Sequence, residues 1–281
     1  MAEADRWAPG KFDRDTAVRR TQQDGAASTF AVDVSPDWRA GRGPHGGYLA
    51  AMLMRALIEA VSEERRSPRS LTIHYLSAPD AGPALIHTAI ERTGRSLSTL
   101  SARMEQDGRT TALVLAAFSV PWSGPELSNL PMPDVDPPDP GRRPGTLIEE
   151  GGPPFARLIT LQQRFGGTPF GGPEQTMEVG GWLGLAEPRA IDALSLAFFT
   201  DALLPAPFMS THEPNPAPTI DLTVHFRTAL PRPGEADPLE LCLARVRGGV
   251  IHEGFFEEDT VIWAHDGTVL AQSRQLALLL D

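Results

Sequence analysis

Apolar residues recur three and four apart through GGYLAAMLMRALIEAVSEE. Leu49, Met52, Leu53, Ala56, Leu57 and Ala60 share one face, which predicts an amphipathic helix. Arg65 and Arg66 follow it, where a helix C-terminus favours positive charge. The period then shortens. SLTIHYLSAP, ALIHTAIERT and SLSTLSARMEQ read as strands, Asp107-Gly108 as a hairpin turn, and TTALVLAAFSV as a buried strand. Further along the same succession returns. ALSLAFFTDALL predicts a helix started by Asp192 and stopped by Pro205. TIDLTVHFR is a strand, ALPRPGEADP a turn, and LELCLARVR and FFEEDTVIWA are strands; Asp266-Gly267 is a second hairpin turn before TVLAQSRQLALLL. Leu71–Tyr75 aligns on Leu222–Phe226 with an offset of 151 residues, and the two Asp-Gly turns with an offset of 159, as a few loop insertions would produce.

Composition divides the 281 residues at one place. Ten of the 27 prolines fall between Pro121 and Pro154, where missing amide donors and fixed φ angles exclude helix and sheet interior. The expected organisation is a repeat over residues 1–120, a proline-rich strap over 121–154 and a second repeat over 155–281. Acidic residues outnumber basic ones by 36 to 25, a net charge of −11, which argues against a global grip on nucleic acid. No run of eighteen apolar residues predicts a membrane span, and MAEADRWAPGKFDRD lacks the apolar core of a secretory signal, so a cytoplasmic location is expected. A single cysteine, Cys242, excludes an internal disulfide framework and a Cys-rich zinc site.

Three polar positions interrupt apolar patterns. Asp201 shares the face of Leu194, Ala197, Phe198 and Leu204 on the second predicted helix, where an unpartnered carboxylate is costly. Its counterpart on the first helix is Arg55, of opposite sign. Gln275 shares one face with Ala271, Ser273, Ala277 and Leu279 in the last strand, while its first-half counterpart lies near Ala116. In TIDLTVHFR, Thr219 and Thr223 share one face with Asp221, His225 and Arg227, a pattern more typical of a solvated face. A fourth feature is His45-Gly46-Gly47 just before the first helix, where glycine admits close backbone approach and free amides favour negative charge. The solvated helix end at Arg65, Arg66 and Arg69 is a further basic cluster. GxSxG, HExxH, P-loop and dinucleotide-binding motifs are absent from the sequence.

A helix followed by antiparallel strands, given twice with a linker between, is an α+β double hotdog with one long helix per repeat. In these features the chain resembles the type II acyl-CoA thioesterase family from about Thr29 to Leu280. The resemblance implies hydrolysis of acyl-CoA by a water bound at Asp201, Thr219 and Gln275, with Asp201 as general base. It also implies an oxyanion site at His45, Gly46 and Gly47, and an acyl chain lying between the repeats. Neither metal nor cofactor is expected, coenzyme A being part of the substrate, and a homodimer or larger homo-oligomer is compatible with the fold. One departure from the family pattern is Leu222 after Asp221, where relatives carry histidine. Two alternatives stand beside this reading: a non-catalytic acyl- or lipid-binding protein, and a hydratase or dehydratase using His45 and Glu59.

Overall fold

Alternating segments along both halves of the chain pair into one large sheet, against which the helices pack. The structure, a computed structural model, describes residues 9–63, 65–140, 152–230 and 240–280. In the first half α1 (Lys11–Asp15), β1 (Arg19–Asp24), β2 (Ala27–Val34) and the short strands β3 (Arg39–Ala40) and β4 (Gly43–Pro44) lead into α2 (Gly46–Val61). Then follow β5 (Ser67–Tyr75), β6 (Gly82–Thr93), β7 (Leu97–Gln106) and β8 (Arg109–Ser119). The second half contains β9 (Ile159–Gly166), β10 (Glu178–Leu185), α3 (Ala193–Phe199), a 3-10 turn at Ala206–Met209, β11 (Thr219–Phe226), β12 (Cys242–His252), β13 (Phe255–Trp263) and β14 (Val269–Leu278).

Twelve strands form one sheet in the order β1-β2-β6-β7-β8-β5-β11-β14-β13-β12-β10-β9. Read outward from the β5/β11 seam, the two halves have the same order. At the seam Leu71 lies opposite Val224, Thr72 opposite Thr223 and Ile73 opposite Leu222. The 151-residue offset makes Thr223 the counterpart of Thr72, so a pseudo-twofold axis passes through this pair, and the Thr223 hydroxyl bonds the Thr72 hydroxyl at 3.2 Å. The buried face of α2, including Met52, Leu53, Ala56 and Leu57, fills the space on the inner side of the sheet. Both Asp-Gly turns form as their sequences demand: Asp107 and Gly108 have φ of 51° and 73°, and Gly267 has φ of 83°.

A long helix in each repeat does not survive. α2 has 16 residues, whereas α3 has only 7 and ends at Phe199. Asp192 starts α3 with a full capping box, accepting from the Leu194 and Ser195 amides. Its far end tightens at once: the Asp201 and Ala202 amides reach back three residues, to Phe198 at 3.2 Å and Phe199 at 3.3 Å. Pro205 then disfavours helical geometry at Leu204. Asp201 is therefore in the turn after the helix and not on it.

Six strands fall outside the segments read from the sequence: β1, β2, the short β3 and β4, β9 and β10, although β2 alternates with Phe30, Val32 and Val34 buried. From Pro121 to Asp139 the chain is neither helix nor strand. It is fastened across the second half by two buried tryptophans, Trp263 donating to the Leu130 carbonyl at 3.0 Å and Trp182 to that of Asp136 at 2.8 Å. The rest of the strap over 141–151, residues 231–238 of the predicted ALPRPGEADP turn and residue 239, which opens the predicted strand after it, lie outside the described residues. Arg55 is not in register with any site; it bonds Asp13 at 3.2 Å and Thr16 at 2.8 Å. Asp13 also receives Arg189 of the second half, at 3.0 Å, so α1 ties the two halves together.

Ile73 is fully buried on the seam. Ile73→Ala should cost about 2–5 kcal/mol, the usual range for such truncations. Because both halves share this seam, unfolding should remain a single transition, with tryptophan fluorescence and far-UV circular dichroism superimposing in a urea titration.

Candidate active site between two helix ends

His45 caps α2 and brings the first-turn amides of that helix against the end of α3. The Gly47 amide donates to Asp201 Oδ2 at 2.7 Å and also to His45 Nδ1 at 3.1 Å. A nitrogen that accepts must be unprotonated, so the imidazole is neutral, in keeping with the downward shift that burial gives its pKa against the opposing charge of Asp201. His45 Nδ1 stands 3.5 Å from Asp201 Oδ2, and the ring lies against Phe155 and Phe198. Glycine permits this approach. A Cβ on Gly47 would come within 2.5 Å of the Phe198 carbonyl oxygen, and one on Gly46 within 2.8 Å of Asp201 Oδ2. Tyr75 donates to the Gly46 carbonyl at 2.8 Å, and its hydroxyl is kept protonated by burial and by the Asp201 charge.

The strands supply the other wall. Between Thr219 and Asp221 the pairing of β11 with β14 slips by one residue. Strict alternation would put Thr219 on the face opposite Leu222. The bulge instead sets Thr219 across from Ala277 and Leu222 across from Gln275, both on the buried face. Thr219 thereby reaches Gln275, its hydroxyl donating to Oε1 at 3.5 Å. Thr223 stays in the regular part of the strand and meets Thr72 on the seam. Gln275 stabilises the Asp201 charge by hydrogen bonding, so Asp201, Thr219, Gln275, His45, Gly46 and Gly47 are brought into one cluster.

The cluster has a second carboxyl that the pattern reading passed over. Glu258 on β13 lies directly opposite Gln275, is 3% exposed, and accepts a hydrogen bond from Gln275 Nε2 at 2.8 Å. Its other oxygen accepts from the Ala206 amide. The signal was present: Glu258 shares one strand face with Phe256, Thr260 and Ile262, the same intrusion of a polar group into a buried stripe that marks Asp201 and Gln275. Burial pushes the Glu258 carboxyl up to about 8, and the nearby charges of Asp201 and Glu257 add to the shift while its two hydrogen bonds oppose it. Asp201 moves the same way. Burial raises its pKa above the ordinary aspartate value, against the pull of His45, the Gly47 amide and Gln275.

Other candidates separate. Glu59 is exposed and fourteen residues beyond His45 along α2, about 21 Å at the helical rise, so the two cannot act on one substrate atom. Arg66 and Arg69 are engaged within the fold, Arg66 on the Gly94 carbonyl at 2.8 Å and Arg69 on Ser119 at 2.7 Å. Cys242 is fully buried in β12, and burial pushes its thiol far from ionisation. Among the described residues no His, Cys, Asp and Glu group is placed to hold a metal, and no helix is long and apolar enough to cross a membrane.

Comparison with known proteins agrees with this architecture. The sequence family of the acyl-CoA thioesterase N-terminal domain matches residues 34–119, and that of the acyl-CoA thioesterase C-terminal domain matches residues 129–279. An uncharacterised protein of Mycobacterium tuberculosis is 26% identical over 285 aligned positions, covering 90% of this chain and 92% of its own. A hot dog fold protein of unknown function from Alicyclobacillus acidocaldarius superposes with a TM-score of 0.85 at 25% identity, covering 98% of this chain and 99% of that one. A Thermobifida fusca protein provisionally named a thioesterase II gives a TM-score of 0.77 at 26% identity over 96% and 98% of the two chains.

The buried acids have a consequence for stability. Glu258 titrates from 4.5 in the unfolded chain to about 8 in the folded one, so its contribution is complete below the lower value and is lost as pH rises through the upper. Asp201 acts in the same direction. His45, depressed in the fold, acts oppositely and weakens the protein as pH falls below its ordinary value of 6.5. Urea midpoints measured from about pH 5 to 9 should decline between about pH 6.5, above which His45 no longer opposes, and about pH 8, and level off beyond it. Glu258→Gln should flatten that decline while leaving the acidic side in place.

Proposed function

The chain belongs to the acyl-CoA thioesterase family, and from that premise we propose that it hydrolyses an acyl-CoA thioester to the free acid and coenzyme A at the Asp201 cluster. The mirrored halves are read as two hotdog units, of which the second supplies the reacting groups. The observation that carries this reading is a desolvated aspartate, anchored by a helix amide, beside a Gln–Thr pair.

In the proposed reaction a water sits between Asp201, the Thr219 hydroxyl and the Gln275 carboxamide. Asp201 accepts a proton from it as the water oxygen attacks the thioester carbonyl carbon, and the tetrahedral oxyanion then collapses with loss of the coenzyme A thiolate. A thiolate leaves readily, so neither a covalent nucleophile nor a metal is invoked, and coenzyme A enters only as part of the substrate. Burial makes Asp201 a stronger base than an exposed aspartate, provided it is ionised. The oxyanion is assigned to the first-turn amides of α2, with Gly46 foremost because the Gly47 amide already holds Asp201. His45 is assigned to orienting this turn, since its Nδ1 faces the Gly47 amide.

Free thiol release from a panel of acyl-CoAs tests the reading. Asp201→Asn and Asp201→Ala should lower kcat/KM by about 10²–10⁴-fold, the range for loss of a general base. The acid limb of the wild-type kcat/KM profile should lie above the ordinary aspartate value of 3.8. Absence of turnover across the panel, or full activity in both variants, would refute it.

A further inference from the structure

The β13/β14 pair bears a polar contact that its counterpart in the other half does not. On the first-half sheet Leu71 lies opposite Ala116, which in turn lies opposite Leu100. On the second-half sheet Leu222, the counterpart of Leu71, lies opposite Gln275, which lies opposite Glu258. The register thus makes Ala116 the equivalent of Gln275 and Leu100 that of Glu258. Leu100 and Ala116 are both buried, so this fold packs the position without any polar group. A carboxyl and an amide here are not demanded by the architecture.

We propose that Glu258 is a positioning residue for the Asp201 site, accepting a hydrogen bond from Gln275 and so fixing which end of that amide faces Thr219 and the attacking water. The proposal rests on the hydrolase reading above and extends it. Both Glu258 oxygens accept, one from Gln275 Nε2 and the other from the Ala206 amide, so the NH2 end of Gln275 faces Glu258 and the carbonyl end is left toward the Thr219 hydroxyl. Glu258 is itself immobilised, because its second oxygen is held by the Ala206 amide at the start of the 3-10 turn. The titratable groups that face it are Asp201, across Gln275, and the adjacent Glu257. Asp201 and Glu258 thus flank one amide, and each favours the same orientation of it. Without Glu258 only Asp201 holds the amide, and it more readily turns to offer a donor where the water needs an acceptor. That fault affects turnover and leaves substrate affinity intact.

Glu258→Leu installs the residue the first half already uses. It should lower kcat by about 10–100-fold, the scale of a misplaced reacting group, with KM changed less than about twofold. Glu258→Gln retains an acceptor oxygen and should recover most of the loss. In a Gln275→Ala background, Glu258→Leu should have no further effect, and this double variant recreates the Leu100/Ala116 packing, which protects it from misfolding. A second readout needs no turnover. With 15N-labelled glutamine, the Gln275 side-chain amide resonances should be protected from exchange in wild type and Glu258→Gln, and should shift and lose protection in Glu258→Leu. Additive kinetic losses in the double variant, or Gln275 resonances indifferent to Glu258→Leu, would overturn the proposal. If wild type hydrolyses no acyl-CoA, the hydrolase reading fails and the amide resonances alone decide the role of Glu258.

Discussion

The hydrogen bond from the Gly47 amide to Asp201 joins the start of one helix to the residue just past another, and it can form only if two stretches of backbone touch. Side chains at Gly46 or Gly47 would occupy space already filled by Asp201 and the Phe198 carbonyl. The contact also requires the two halves to be held in one relation, which the β5/β11 seam and the Asp13–Arg189 tie provide. Once it forms, a carboxylate sits at the positive end of α2 and can remain ionisable despite burial, because a helix N-terminus and a fixed amide support its charge. The position of Tyr75 and the neutrality of His45 follow from that approach, while the Gly47 amide holds back the rise that burial imposes on the Asp201 carboxyl.

Much of this was legible in residue order. The three-four spacing from Leu49 to Ala60 marks α2, alternation marks β5 to β8, and the two Asp-Gly turns mark their hairpins, because each signal is local. β1 was not, since all six of its residues are exposed and no apolar alternation marks it. β10 was hidden by its glycines, which allow close strand packing but contribute no side-chain pattern. α3 was over-extended because the apolar spacing continues past Phe199, while the chain itself tightens before Pro205.

The site residues divide in the same way. Asp201 and Gln275 stood out as polar groups within apolar stripes, and the same criterion applied to β13 marks Glu258. Thr219 could not be placed by pattern, because a single-residue slip in pairing decides its face and nothing in TIDLTVHFR announces the slip. The register does show a matching slip in the first half, between Pro68 and Ser70. The bulge therefore belongs to the shared architecture, and the second half has placed a hydroxyl at a geometry the repeat already contained.

The threonine pair on the seam has a genealogical consequence. Thr72 and Thr223 face each other as one residue would face its own copy across a symmetric dimer interface. In a dimer of identical chains every mutation is made twice, so a change that improves one site while spoiling the other cannot be kept. Joined in tandem, the copies mutate separately. Leu100 and Ala116 on one side, Glu258 and Gln275 on the other, are a difference that a dimer of identical chains cannot carry.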